Sequence, residues 1–233
     1  MRDAGPPLRL AVFVSTAFQR NPMRIFLLSP VLLAATPLLA DACLDEVKAM
    51  YLEDGGVFDP AFDIQHQEVT FNRMPDGTEQ IVVTARWQAP DQVISAFPDG
   101  RFMLLWGQDF YDGSSWDGPW TDTGSDNPYD AMEFARDMNA SSAASITEAR
   151  CDGEVEVEGR TLLRYAYRVR TETAGGQSWW ESDQVLYIDP ETGRMAINEE
   201  HNLMESWAPE PKDYVRVTTA DYGTDFAIAA PEG

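Results

Sequence analysis

Cysteine and histidine are nearly missing from this chain: Cys43, Cys151, His66 and His201 are all it has of either type in 233 residues. Two imidazoles far apart in sequence, with no cysteine cluster and no H-E-x-x-H helix, argue against a transition-metal centre. No G-x-S-x-G occurs, so a nucleophile elbow is absent too. Positive charge is scarce, with 17 basic residues against 39 acidic ones and a formal net charge of -22. A field of that sign repels phosphate backbones and anionic head groups, which disfavours nucleic acid and direct binding to an acidic membrane surface. There is no internal repeat and no Pro/Gly/Ser linker that would divide the chain.

Long apolar runs are also rare, and the exception sits at the N-terminus. Residues Ile25 to Ala42 read IFLLSPVLLAATPLLADA, preceded by Met23-Arg24 and ending in Ala40-Asp41-Ala42. A cationic start, an apolar stretch and an A-x-A site in that order predict a secretory signal peptide cleaved after Ala42. The stretch holds Pro30 and Pro37 and falls short of the roughly 20 apolar residues a membrane span needs. Met23 opens a complete signal by itself, so Met1 to Pro22 reads as an upstream extension and translation starts at Met1 or Met23. The expected organisation is residues 1–42 as signal and extension, then one domain over 43–233. Removing four basic and two acidic residues with that leader moves the formal charge from -22 to -24.

Both cysteines fall in the expected mature part, which places them in an oxidising, periplasmic compartment. Two readings of the pair stand: a disulfide from Cys43 to Cys151, or lipid attachment at Cys43, the first residue after the cleavage site. Asp41 fits a lipoprotein signal poorly.

Along the mature chain, Leu44, Val47 and Tyr51 fall at helical spacing and predict a short amphipathic helix over Cys43 to Glu53, stopped by Asp54-Gly55-Gly56. His66 to Arg73 and Gln80 to Trp87 flank Pro75-Asp76-Gly77, a hairpin signal. Arg101 to Trp106 is apolar on both faces and reads as a central strand. Residues 107–127 show no period and read as loops and short strand ends. A second helix is expected from Asp126-Asn127-Pro128 to Met138, with Met132, Phe134 and Met138 on one side. Glu154 to Val157, Thr161 to Arg170, Ser178 to Asp189 and Arg194 to His201 predict an antiparallel meander. Val215 to Thr219 and Phe226 to Ala230 close the domain. The predicted fold class is mainly β: one strongly curved antiparallel sheet, a half-open barrel, with the helices as a lid over an apolar hollow.

At this level the sequence resembles the LolA-like and LppX-like periplasmic lipoprotein carrier superfamily. The resemblance rests on Val185 to Met195, an aromatic-containing strand running into Asp189-Pro190-Glu191-Thr192-Gly193, and on the ending Val217 to Gly223 followed by Phe226 to Pro231. Trp116 to Thr121 before the helix Pro128 to Met138, and the strand opening at Gly159 to Tyr165, agree in order. The resemblance implies a half-open barrel whose interior holds acyl chains, possessing no cofactor, with Arg86 the candidate for the family's interior arginine.

The ionisable groups offer little chemistry. Asp122-Thr123-Gly124 has the form of an aspartic protease triplet, but a second triplet to share the proton is absent. Asp109, Asp112, Asp117, Asp122 and Asp126 crowd one segment without the spacing of a calcium loop. The aromatics say more, because ligand sites for apolar groups are walled by such residues. The expected pocket residues are Phe71, Trp87, Phe102, Leu104, Trp106, Met132, Tyr165 and Tyr167. The expected function is a non-enzymatic periplasmic carrier or binding protein for an acyl chain, lipid or lipoprotein. The alternative is a cell-envelope interaction or scaffold module whose sheet is filled by its own side chains.

Overall fold

The turn at Pro75-Asp76-Gly77 forms as its residues dictate. Asp76 accepts the Thr78 hydroxyl at 2.7 Å and the Thr78 amide at 2.9 Å, bonds that hold its carboxyl below the usual range. Gly77 supplies a φ of +83° that a side chain would resist. Around this turn His66–Arg73 (β1) pairs antiparallel with Glu79–Ala89 (β2), from His66 opposite Trp87 to Arg73 opposite Glu79. The structure is a computed structural model that describes residues 37–62, 65–173 and 176–231, so the expected leader up to Thr36 lies outside the described residues.

Beyond β2 the sheet continues through Gln92–Ala96 (β3), Phe102–Trp106 (β4), Asp109–Gly113 (β5) and Thr121–Asp126 (β6). The C-terminal half adds Ala149–Val157 (β7), Arg160–Glu172 (β8), Trp179–Asp189 (β9), Arg194–Glu205 (β10) and Val215–Asp221 (β11). The β1–β11 pair joins the halves into one antiparallel sheet ordered β6-β5-β4-β3-β2-β1-β11-β10-β9-β8-β7. Its two edges do not pair, so the sheet is open. The predicted meander is present as β7 to β10. β4 is third from an edge rather than central, and β3, β5 and β6 emerge from segments without a readable alternation. Phe226 to Ala230 is not a strand. It lies against the sheet, with the Ile228 amide donating to the Gln88 side chain at 2.8 Å and Gln65 bonded to the Phe226 carbonyl. Gln88 is the extra residue of a bulge between Trp87 and Ala89, which frees its side chain for that bond.

The sheet is curved, and one pair of residues shows how far. Leu105 of β4 and Trp180 of β9 are six strands apart, about 29 Å on a flat sheet at ~4.8 Å per strand, yet both border one cavity of about 550 Å³. Wrapping gives the sheet an inner and an outer face with separate cores.

The inner core joins the helices to one half of the sheet. Pro37–Leu52 (α1) and Ala131–Ser145 (α2) bury Val47, Met50, Tyr51, Ala143 and Ile146 against Tyr165, Tyr167, Val169, Leu186 and Ile188. α1 begins before the predicted Cys43 and runs through the Ala42–Cys43 bond. α2 starts later than its predicted signal, because Asp130, not Asp126, accepts the Glu133 amide at 2.9 Å as N-cap. On the outer face Ile94, Leu104 and Ile228 are covered by Phe102, Trp106, Tyr111, Trp116, Trp120 and Phe226. Gly113 is required there, since a Cβ would stand 2.5 Å from the Trp120 ring.

α2 is fixed by an edge of the sheet. β7 pairs with β8 only as far as Ala149 opposite Tyr167, which leaves backbone N–H groups further along β8 without a ladder partner. Serines of α2 take them: the Arg170 amide donates to Ser145 Oγ and the Glu172 amide to Ser141 Oγ, each at 2.9 Å. Ser142 Oγ meets Thr171 Oγ1 at 2.7 Å. Edge donors are thereby satisfied without another strand.

Cys43 and Cys151 form a disulfide with Cα atoms 5.8 Å apart, tying α1 to β7 across 108 residues. A sulfur in that bond is not free to carry a lipid. Closing so long a loop restricts the unfolded chain. Cys151→Ser is expected to lower unfolding stability by about 3–5 kcal/mol, read as a shift of the urea midpoint; an unchanged midpoint would show that the α1–β7 packing needs no covalent tie.

Candidate functional site

The cavity of about 550 Å³ lies under the N-terminal half of α2. Ala131, Phe134, Ala135 and Met138, at i, i+3, i+4 and i+7, form its roof. Val57, Phe58 and Pro60 continue the roof, held to it by the Asn139 side chain, which donates to the Phe58 carbonyl at 2.6 Å. Trp87, Leu105, Trp180 and Met195 supply the apolar floor from four strands. Among the described residues none of α1 lines it. The lid is therefore α2 and the 57–60 segment rather than both helices, because α1 packs over β7 and the inner core.

A polar corner interrupts the apolar wall. His66 stands 3.5 Å from a Glu68 oxygen and stacks at 5° on the Trp87 ring, with centroids 6.1 Å apart. The Trp87 indole donates to the other Glu68 oxygen at 3.1 Å. Tyr222 lies 5.1 Å from His66, and the Arg194 guanidinium 4.9 Å from the Tyr222 ring. These residues come from the ends of β1, β2, β10 and β11, which curvature gathers at one rim of the sheet.

Of the eight pocket residues expected from the sequence, Trp87 lies in this lining. Phe102, Leu104 and Trp106 point to the outer face, whereas Leu105 between them points in; in a strand apolar on both faces, nothing in the sequence says which alternation faces the hollow. Phe71 is also on the outer face, opposite Ile81 and Val217, with the Arg73 guanidinium 5.8 Å from its ring. Tyr165 and Tyr167 face inward but are consumed by the core. The Tyr165 hydroxyl donates to Glu46 at 2.6 Å, and Tyr167 meets Tyr51 at 2.8 Å and Gln184 at 3.1 Å. Burial pushes all three phenols above their usual range. Met132 is half-buried and sits off the stripe that roofs the cavity. Arg86, the candidate interior arginine, is on the outer face, 4.1 Å from the Trp116 ring and 5.4 Å from that of Phe226. Sequence reasoning missed Phe134, Ala135, Leu105, Trp180 and Met195 as lining residues; the i, i+3, i+4, i+7 spacing from Ala131 was the available signal for the first two.

The hollow is not uniformly apolar. Across the middle of the inner face run Gln184, Asn198, Glu200, Arg216, Thr218 and Thr70, a polar band outside the cavity lining. Thr70 and Thr218 bond at 3.0 Å, and Arg216 pairs with Glu205 at 3.7 Å. Burial raises the Glu200 carboxyl above its usual range, against the opposing pull of Arg216 and of the Ser182 hydroxyl.

Asp122 lies in the exposed edge strand β6 and accepts the Gly124 amide at 2.7 Å, as a turn. Among the described residues no group of three or more His, Cys, Asp or Glu side chains is placed to hold a metal ion, and no helix is long and apolar enough to cross a membrane.

Comparison of the chain with known proteins matches it to no family model and to no curated protein. Among solved structures it is similar to LprF from Mycobacterium bovis, at 13% identity and a TM-score of 0.49, covering 85% of this chain and 99% of that one. It is similar to the lipoprotein LppX of Mycobacterium tuberculosis at 12% identity and a TM-score of 0.40, covering 81% and 99%. A DUF1329 family protein from Desulfovibrio piger follows at 11% identity and a TM-score of 0.27, covering 78% and 91%. These are likenesses of fold alone.

The polar band gives a pH-dependent outcome. Because folding favours the neutral form of Glu200, the stability it contributes is full below its ordinary pKa of 4.5 and is lost as pH rises through the raised value. Glu200→Gln, which mimics the neutral form, is expected to raise the melting temperature most near neutral pH, with the gain shrinking toward about pH 4. A gain that grew on acidification would mean that pairing with Arg216 outweighs burial.

Proposed function

We propose that this protein is an exported, non-enzymatic carrier or binding protein whose ligand is an apolar acyl group. The observation that carries this reading is the cavity under α2. It is large enough for a small lipid, lined mainly by aliphatic and aromatic side chains, and roofed by a helix fixed at only one end. Pockets of roughly 300–1,000 Å³ with few polar points suit apolar ligands. The scaffold alternative requires a filled core, and a cavity of about 550 Å³ counts against it. The disulfide suits an oxidising compartment outside the cytoplasm, where the predicted leader would deliver residues 43–233 as one domain.

α2 supports release as well as capture. Its C-terminal half is bonded to β8 through Ser141, Ser142 and Ser145, whereas its N-terminal half meets the cavity through the apolar side chains of Ala131, Phe134, Ala135 and Met138. Such a helix lifts at the free end without surrendering the buried polar contacts at the other.

Delipidated protein is expected to take up a fluorescent fatty acid with saturable affinity. Ala135→Trp, which fills the space under the roof, is expected to weaken uptake at least tenfold while leaving the melting temperature within a few degrees. Absence of uptake by the unsubstituted protein would overturn the carrier reading.

A further inference from the structure

The size of the cavity limits what it accepts. A methylene occupies about 27 Å³ at the packing density of protein interiors, so 550 Å³ accommodates one chain of roughly 16 to 20 carbons. Two sixteen-carbon chains need about 900 Å³ and three about 1,300 Å³ at the same density. The roof is short as well, since the lining runs along α2 from Ala131 to Asn139, about 12 Å of helix axis.

The cavity does not widen into the rest of the hollow. Beside it the inner face carries the polar band of Asn198, Glu200 and Arg216, and Asn198 Oδ1 is buried there with no hydrogen-bond partner among the described residues. Laying a second hydrocarbon chain on that band would strip Glu200 and Arg216 of what solvation they keep. Phe58 of the lining is backed by Tyr51, the two rings stacked at 4.4 Å.

We infer that the ligand is a single-chain amphiphile, its one acyl chain under α2 and its polar head at the corner formed by His66, Glu68, Arg194 and Tyr222. Lipids and lipid anchors carrying two or three chains are outside its range. This inference rests on the carrier reading and narrows it. The corner suits a head group because hydrogen-bonding and charged side chains from β1 and β10 meet there at the cavity margin, while Phe134, Ala135 and Met138 offer none further in.

The test is displacement of the fluorescent fatty acid from the disulfide-bonded protein, with bound mass read by native mass spectrometry. The competitors are palmitate, palmitoyl lysophosphatidylcholine, dipalmitoyl phosphatidylcholine and a tripalmitoylated lipopeptide. Palmitate and the lysophospholipid are expected to bind one per protein. The two-chain and three-chain competitors should be at least about fiftyfold weaker. Among saturated fatty acids, affinity should rise about two- to fourfold per methylene and level off near sixteen to twenty carbons. Equal binding of the two- or three-chain lipids, or two palmitates in one protein, overturns the inference and leaves the carrier reading standing. Failure of every competitor and of the probe itself overturns both.

Discussion

Everything on the inner face depends on how α2 is held. The unpaired stretch of β8 presents amide donors at Arg170 and Glu172, and the hydroxyls of Ser145 and Ser141 accept them. This contact sets the height and direction of the helix over the bent sheet. From it follow the closely packed core around Ile146 and Val169 at one end and the open space beneath Phe134 and Ala135 at the other. Serine is a weak helix former that prefers to bond backbone groups; here Ser141 and Ser145 serve that preference against a neighbouring strand. A leucine at Ser145 would improve the helix in isolation and leave the part-buried Arg170 amide without its acceptor.

Curvature does the rest by converting sequence distance into proximity. β2 and β10 contribute Trp87 and Met195, and β4 and β9 contribute Leu105 and Trp180, to one enclosure. The enclosure is bounded by chemistry as much as by shape. An apolar floor gives way to a band of amides, hydroxyls and a buried carboxyl, so the interior is divided into a greasy compartment and a polar one.

Much of the architecture was legible in the residues. β1 matched its alternation from His66 to Arg73, the Pro75-Asp76-Gly77 turn fixed the first hairpin, and the meander of β7 to β10 followed from its Gly and Pro punctuation. β5 and β6 were not legible. They are short, rich in Asp, Gly and Thr, and β6 is solvent-exposed throughout, so no hydrophobic alternation marks them. The wall of the cavity was readable only in part. Trp87 borders the cavity, but β4 is apolar on both sides, and Phe102, Leu104 and Trp106 lie in the outer core because a period of two has no preferred phase when both phases are buried. Arg86 misled for a related reason: a cation in a strand suggests an interior partner, and here the aromatic faces of Trp116 and Phe226 on the outside supply it.

An open sheet leaves two borders, and this chain treats them differently. β7 is largely exposed but is stapled to α1 through Cys43 and Cys151. β6 has no cover, but it is six residues long and carries Asp122, Asp126 and a glycine at φ +67°. A copy of the same strand brought alongside would set carboxylates against carboxylates on a chain that is already strongly anionic, and the kinked glycine would spoil the register. Concentrated stocks of a protein with eleven hydrogen-bonded strands would ordinarily invite growth into ribbons. This one is built to stop at its own two ends.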